Sequence, residues 1–188
     1  MHNLAALMLP GDAFDIDSQQ ILGRRVAGRS MALGFVRHIE PGSSLPLISF
    51  GADQDLKLKS LLEPFLQTGA SLDFHSLDYN SLSSIGALHI PDPGLSRWQL
   101  LRSGQPANSF SLTGVIHTLS SFNVIRELEN IWIAPLHEWD ALVCTSNAGR
   151  DVVMSVFNQI HQHLEFRFST VLKQPPVPEL PVIPLASS

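Results

Sequence analysis

The sequence contains one cysteine, few charged residues and no long apolar segment. Cys144 has no second cysteine with which to form an internal disulfide, so nothing in the chain points to an oxidising compartment. The aliphatic run near the start covers only residues 4–9, whereas a helix that crosses a bilayer needs about 20 apolar residues. No basic segment precedes that run, which is unlike a secretory signal peptide. We therefore expect a cytoplasmic protein without a transmembrane segment.

Charged residues of either sign are few. The chain has 12 Lys and Arg against 17 Asp and Glu, which gives a net charge of −5. No basic stripe is available to neutralise phosphates, and this argues against nucleic acid as a partner. Apolar residues make up 44% of the 188 residues, which is enough for one domain with a buried core and excludes a disordered chain.

Several familiar catalytic and ligand-binding signatures are missing. The sequence has no G-x-G-x-x-G dinucleotide fingerprint, no P-loop and no G-x-S-x-G nucleophile elbow. His161 and His163 are two positions apart on a predicted helix, so they point in different directions and match no metal-ligand spacing. We therefore expect no metal ion and no cofactor.

Short apolar runs alternate with longer segments of helical period. The predicted strands cover residues 4–9, 45–50, 84–90, 112–116 and 141–145. The predicted helices cover residues 18–38, 53–67, 95–102, a segment within 122–133, and a long stretch after an N-capping Ser146. Strands that are apolar throughout and alternate with helices predict an α/β, Rossmann-like fold, with a mostly parallel sheet covered on both faces. We expect a single domain over residues 1–172 and an extended, proline-rich tail over 173–188.

Ligands of open parallel sheets bind beyond the carboxyl ends of the strands, and several polar residues fall there. His117 and Thr118 follow the strand at 112–116, and Ser146 follows the last strand. A neutral imidazole at position 117 can bind a sugar hydroxyl or a phosphate oxygen, or move a proton, but it can equally cap the next helix. His89 has the same two interpretations, as a residue that orients a ligand or as a structural residue.

Three segments together resemble the N-terminal half of a GT-B glycosyltransferase of the family 4 type. They are ILGRRVAG at 21–28, SLTGVIHTL at 111–119 and PLHEWDALVCTS at 135–146. The last is the most specific, because such enzymes run through a similar motif into a strand and then a long helix. The resemblance covers nearly the whole chain.

The resemblance implies roles for particular residues. Gly23 is similar to the glycine that lets backbone amides approach the diphosphate of a nucleotide sugar. Many relatives have two adjacent glycines at this point, whereas this chain has Arg24 in the second position, where it would supply charge to a phosphate. His117 matches the histidine beside the transferring sugar, and we expect it to be the catalytic residue. His89, Thr118 and Ser146 are expected to bind substrate in the same cleft.

The resemblance also implies an activity and partners. The reaction would transfer a sugar from a nucleotide sugar to an acceptor hydroxyl. The segment at 181–185 resembles the linker that leads into the second, donor-binding domain, and we expect a truncated enzyme that lacks this domain. The expected partners are the donor and acceptor, with a separate donor-domain chain or self-association. The alternative is a non-catalytic glycan- or protein-binding module derived from such an enzyme. A tail docked as an edge strand would favour that alternative, and a loose tail would favour a truncated enzyme.

Overall fold

The structure is a computed structural model that describes residues 5–14, 23–119 and 122–184. The chain divides into two compact units, Met1–Pro91 and Asp92–Ser188.

The described residues of unit 1 form four short parallel strands. They are β1 (Ala6–Leu7), β2 (Ser44–Ile48), β3 (Ser71–His75) and β4 (Ala87–His89), in the spatial order β3-β2-β1-β4. Leu7 of β1 is paired with Leu47 on one side and His89 on the other. Pro46 does not prevent β2 from forming, since β2 pairs with β3 along all five residues and with β1 at Leu47 alone.

Helices follow the strands of unit 1 and bury their apolar residues against them. The helices are α1 (Gly11–Phe14), α2 (Gly23–His38), α3 (Ala52–Leu62), which continues into a 3-10 helix (Glu63–Phe65), and α4 (Tyr79–Ile85). Ala32 and Val36 of α2 form one core cluster with Leu58 and Leu62 of α3, and the strand residues Leu45 and Leu47 belong to the same cluster. This amphipathic arrangement is what the helical period of the sequence predicts.

Unit 2 repeats the alternation of strands and helices. Its elements are α5 (Leu95–Trp98), a 3-10 helix (Gln99–Arg102), β5 (Ser111–Ile116), α6 (Phe122–Ile133), β6 (Ala141–Cys144) and α7 (Asn147–Phe168). Strands β5 and β6 are parallel, with Ile116 paired to Cys144. Helix α7 begins as predicted, because Ser146 accepts a hydrogen bond from the Gly149 amide at 3.0 Å.

The proline-rich tail lies along β6 as a further parallel segment. Glu179 bridges to Ala141, and Val182 bridges to Cys144. Pro181 has no N–H to give to the Leu142 carbonyl, so one ladder hydrogen bond is missing. The Cys144 thiol donates to that same carbonyl oxygen at 3.6 Å. Between residues 179 and 183 the tail is thus docked on β6 through isolated bridges and backbone hydrogen bonds.

The α/β, Rossmann-like class with parallel strands is confirmed, while several boundaries differ from the prediction. The strand expected at 84–90 covers only Ala87–His89, because α4 extends to Ile85 and ends at Gly86 in the left-handed conformation (φ 95°). Strand β3 and helix α4 were not predicted. The helix expected at 53–67 ends at Leu62 and changes to a 3-10 helix that contains Pro64. Residues 18–22 of the first predicted helix lie outside the described residues, and the predicted 172/173 domain boundary stays a prediction.

A buried ion pair fixes the start of both strands in unit 2. Arg102 is 5% exposed and Asp140 is fully buried, and the two form two parallel hydrogen bonds of 2.9 and 2.8 Å. The Asp140 carboxylate also accepts from the backbone amides of Leu112 in β5 and His137 before β6. Arg102 donates in addition to the Phe110 carbonyl at 3.2 Å. Both carboxylate oxygens of Asp140 and both terminal nitrogens of Arg102 therefore have protein partners.

We predict that Asp140→Ala destabilises the protein by about 3–5 kcal/mol, because it leaves the buried Arg102 charge uncompensated. The double variant Arg102→Met/Asp140→Leu should regain part of that loss, since it removes both charges. Urea unfolding measures both effects. A loss below about 1 kcal/mol for Asp140→Ala would show that the pair does not fix the fold in this way.

Helices α1 and α2 of unit 1 approach each other at Gly28. A Cβ atom added at this glycine would lie far inside van der Waals distance of the Ala13 carbonyl oxygen. At Gly34, one and a half turns further along α2, an added Cβ would meet nothing within 4 Å. Only the first of these two glycines is therefore required by packing.

The two glycines give a matched pair of substitutions. We expect Gly28→Ala to destabilise the protein by about 3 kcal/mol or more, because the backbone of α1 must move. We expect Gly34→Ala to stabilise it by about 0.5–1 kcal/mol through helix propensity. Chemical denaturation of the two variants tests this, and equal effects would contradict the close approach of α1 and α2.

Candidate functional site

The carboxyl ends of β5 and β6 bring three of the expected site residues to one edge of unit 2. His117 and Thr118 directly follow β5, and Ser146 follows β6 by two residues. The strands are parallel and in register at their last residues, so their following loops leave the sheet at the same edge. The His117 side chain is half-buried there and Thr118 is exposed. Polar groups at such an edge are in the position from which α/β proteins contact ligands.

Ser146, the third expected residue at this edge, has a structural role. The Ser146 hydroxyl caps α7 by accepting from the Gly149 amide, and the Ser146 carbonyl accepts from the Arg150 amide. Helix α7 is 22 residues long, and its first turn contains no acidic residue. The positive end of the helix dipole therefore points to the edge without a negative side chain from that turn to balance it.

The loop before α5 packs closely on β5. A Cβ atom added at Gly114 would lie 2.6 Å from the Asp92 carbonyl oxygen, so only glycine allows this approach. The Asp92 carboxylate accepts from the Gly94 amide at 2.7 Å and from Arg97 at 3.0 Å. Arg97 also lies 3.6 Å from Glu127 of α6. The close approach at Gly114 holds this loop against β5, the strand that His117 follows. The sequence pattern did not reveal these contacts.

The other expected residues belong to unit 1. His89 is the last residue of β4, and its Nε2 atom lies 3.0 Å from the Met31 sulfur of α2. Its ring also lies 6.3 Å from that of Phe35 on the same helix. These contacts are those of a core side chain, and they favour the structural interpretation of His89. A binding role for His89 stays a prediction.

Gly23 is the first described residue of helix α2, and the residues just before it lie outside the described ranges. Arg24 is the second residue of this helix, and its side chain lies outside what the structure describes. At the start of α1, the Gly11 amide donates to the Gln54 side chain of α3 at 3.1 Å. The binding roles of Gly23 and Arg24 stay predictions.

Arg150 is a residue at the unit 2 edge that the sequence analysis missed. It lies in the first turn of α7, four residues after the capping Ser146. Its side chain is half-buried, and its Nε atom is enclosed without a hydrogen-bond partner. The available sequence signal was an arginine just after a serine N-cap, a position where a positive charge is unfavourable.

Cys144 ends β6 immediately before this edge. The residue is fully buried, and burial raises the pKa of its thiol, while the nearby Arg150 charge lowers that pKa to a smaller extent. A thiol in this state is a poor nucleophile at neutral pH. It serves as packing and as the donor to the Leu142 carbonyl.

In residues 5–14, 23–119 and 122–184, no three His, Cys, Asp or Glu side chains come together in a group that could hold a metal ion. Over the same ranges, no helix has the length and apolar character needed to cross a bilayer.

Comparisons with protein-family models, with curated proteins and with solved structures give no match to this chain.

The raised pKa of Cys144 predicts its behaviour with pH and with thiol reagents. In the unfolded chain the thiol ionises at its ordinary pKa, while in the folded protein it stays protonated to higher pH, so stability should fall as pH rises through that interval. Cys144→Ala should lack this part of the pH dependence. At pH 8, we expect a thiol reagent to modify Cys144 of the native protein slowly, at the rate at which the structure around the thiol opens. The same reagent should modify the urea-unfolded protein at once. Rapid modification of the folded protein would contradict the burial.

Proposed function

We propose that the chain is the acceptor-side, Rossmann-like domain of a GT-B glycosyltransferase. When completed by a donor domain, it would transfer a sugar from a nucleotide sugar to an acceptor hydroxyl. The observation that supports this most is the edge of unit 2, where His117 and Thr118 leave β5 beside the capped start of α7. The motif segments at 111–119 and 135–146 also fall on the strand–loop and loop–strand–helix elements that the resemblance implies.

The chemistry proposed for this edge is mainly positioning. The His117 imidazole would hydrogen-bond the acceptor hydroxyl and take up or pass on its proton during transfer. Thr118 would orient the acceptor beside it. The leaving diphosphate would be stabilised by the donor domain, so that charge is neutralised where it develops.

A second function is favoured by the docked tail. The backbone of Glu179 donates to the Asp140 carbonyl and accepts from the Leu142 amide, both at 2.8 Å, and Ile183 donates to the Cys144 carbonyl at 2.9 Å. A tail held in this manner is what we expect of a non-catalytic glycan- or protein-binding module. Self-association fits this alternative as well, since a groove of about 570 Å³ lies between α6 and α7 and Ile133 beside it is 69% exposed.

The test is His117→Ala in a protein that joins this chain to a donor domain. We expect transfer to fall by about 100-fold or more, as for the loss of a positioned acid or base, with little change in melting temperature. His163→Ala provides the control, because His163 is an exposed histidine of α7 in the same unit. Sugar transfer and thermal unfolding are measured for each variant.

Two other results would speak against catalysis by His117. A large loss of stability, with full activity in the fraction that stays folded, would assign His117 to capping. Glycan binding that survives His117→Ala, together with no transfer by the wild-type fusion to any acceptor, would favour the binding module.

A further inference from the structure

Strand β3 is an edge strand of unit 1. It pairs with β2 on one side, and no described strand pairs with its other side. Ser71 and His75, at the two ends of β3, make backbone hydrogen bonds of 3.0 and 2.9 Å to the residues that flank β2. Because the backbone of a strand alternates, the amides and carbonyls of Leu72 and Phe74 point to the outer edge.

The devices that commonly protect an edge strand are missing from β3. Its five residues, SLDFH, include neither proline nor lysine, and it stays in register with β2 over its whole length without a bulge. An edge of this kind is a template for a strand from another molecule. The side chain that opposes pairing with an arbitrary strand is Asp73, whose carboxylate is 58% exposed. The side chains of the incoming strand therefore decide which partner fits.

The two faces of β3 carry different side chains. The Asp73 carboxylate and the His75 imidazole lie on one face, with 3.0 Å between Oδ2 and Nε2. Leu72 and Phe74 lie on the other face, where they pack against the core cluster of unit 1.

These side chains complement a second copy of the same strand. In an antiparallel pair with Phe74 opposite Phe74, the two copies of this residue exchange both backbone hydrogen bonds, and their rings form a cross-strand aromatic pair. On the other face, Asp73 of each copy then lies opposite His75 of the second copy. This is a non-hydrogen-bonded position, where opposed side chains approach most closely.

Other antiparallel registers lack this complementarity. A two-fold axis at Asp73 places two carboxylates opposite each other, and an axis at His75 does the same for two imidazoles. Like groups directly opposite each other destabilise a strand pair. An axis at Leu72 pairs Asp73 with the uncharged Ser71. The side chains of β3 thus favour a second copy as the partner and the register centred on Phe74.

We propose that the chain forms a homodimer through antiparallel pairing of two β3 edges, with the two-fold axis at Phe74. The inference concerns unit 1 alone and does not depend on the proposed glycosyl transfer. It also assigns self-association to a different surface from the groove between α6 and α7, which belongs to unit 2.

The first experiment measures the dimer dissociation constant of the whole chain by analytical ultracentrifugation over a range of concentrations. Asp73→His and His75→Asp each place like groups opposite one another, so each should raise this constant at least about 10-fold. The double variant Asp73→His/His75→Asp restores both opposed pairs. It should dimerise within about 3-fold of wild type.

The matched control is Ile133→Ser, because Ile133 lies beside the groove between α6 and α7 and is 69% exposed. We expect this variant to dimerise as wild type does. A wild-type protein that stays monomeric up to about 1 mM would overturn the proposal. A dimer that only Ile133→Ser weakens, or a double variant as weak as the two single variants, would overturn it as well.

A second experiment tests the register by disulfide trapping. Asp73→Cys and His75→Cys proteins are mixed and oxidised. In the proposed register the Cα atoms of the two new cysteines are about 4.5 Å apart, which a disulfide can bridge, and one Asp73–His75 pair remains across the axis. The mixture should therefore cross-link much faster than either variant alone, while the fully buried Cys144 stays unreacted. Equally fast cross-linking of Asp73→Cys alone would overturn the register, and no cross-linking in the mixture would overturn the dimer.

Discussion

The fold of unit 2 depends on the buried pair between Arg102 and Asp140. The carboxylate joins the guanidinium to the backbone of both strands, at Leu112 and at His137, while the backbone of Asp140 receives the tail at Glu179. The Asp140 side chain thus connects the starts of β5 and β6, while the backbone carbonyl of the same residue holds the tail. The desolvation of two charges is offset by the hydrogen bonds of the carboxylate oxygens and of the terminal guanidinium nitrogens, which give the pair geometric specificity more than net stability.

The sequence predicts the strands and helices whose pattern is strong and local. The apolar run at 112–116, the amphipathic segment at 122–133 and the serine before α7 all have one consistent interpretation, and the structure agrees with each. Strand β3 was not predictable in this way, because Ser71 and Asp73 are exposed at its edge and interrupt the apolar pattern. Helix α4 depends on an Asp78 cap that accepts from Ser81, and its residues Asn80, Ser81, Ser83 and Ser84 look like a loop by composition.

The sequence predicts where the candidate site lies better than it predicts what each residue does there. The rule that ligands lie beyond the carboxyl ends of parallel strands identified His117 and Ser146. It does not tell whether a polar side chain at that edge is free to meet a ligand, and here Ser146 caps a helix while His89 packs against Met31. Arg150 shows the opposite case: the sequence places it four residues after a serine N-cap, but only the fold shows that its enclosed Nε atom has no hydrogen-bond partner.

The prolines of the tail have a consequence for how the protein behaves in a crowded solution. The amides of residues 179 and 183 point toward β6, so those of Leu180 and Val182 point away from it. Pro178 and Pro184 stand on either side of these two positions and have no amide hydrogen to offer. A strand from another molecule that approached this side would meet two amide donors, with a proline on either side of them. Two hydrogen bonds are too few to extend the β-sheet. The tail thereby terminates the sheet on this side and protects it against edge-to-edge aggregation.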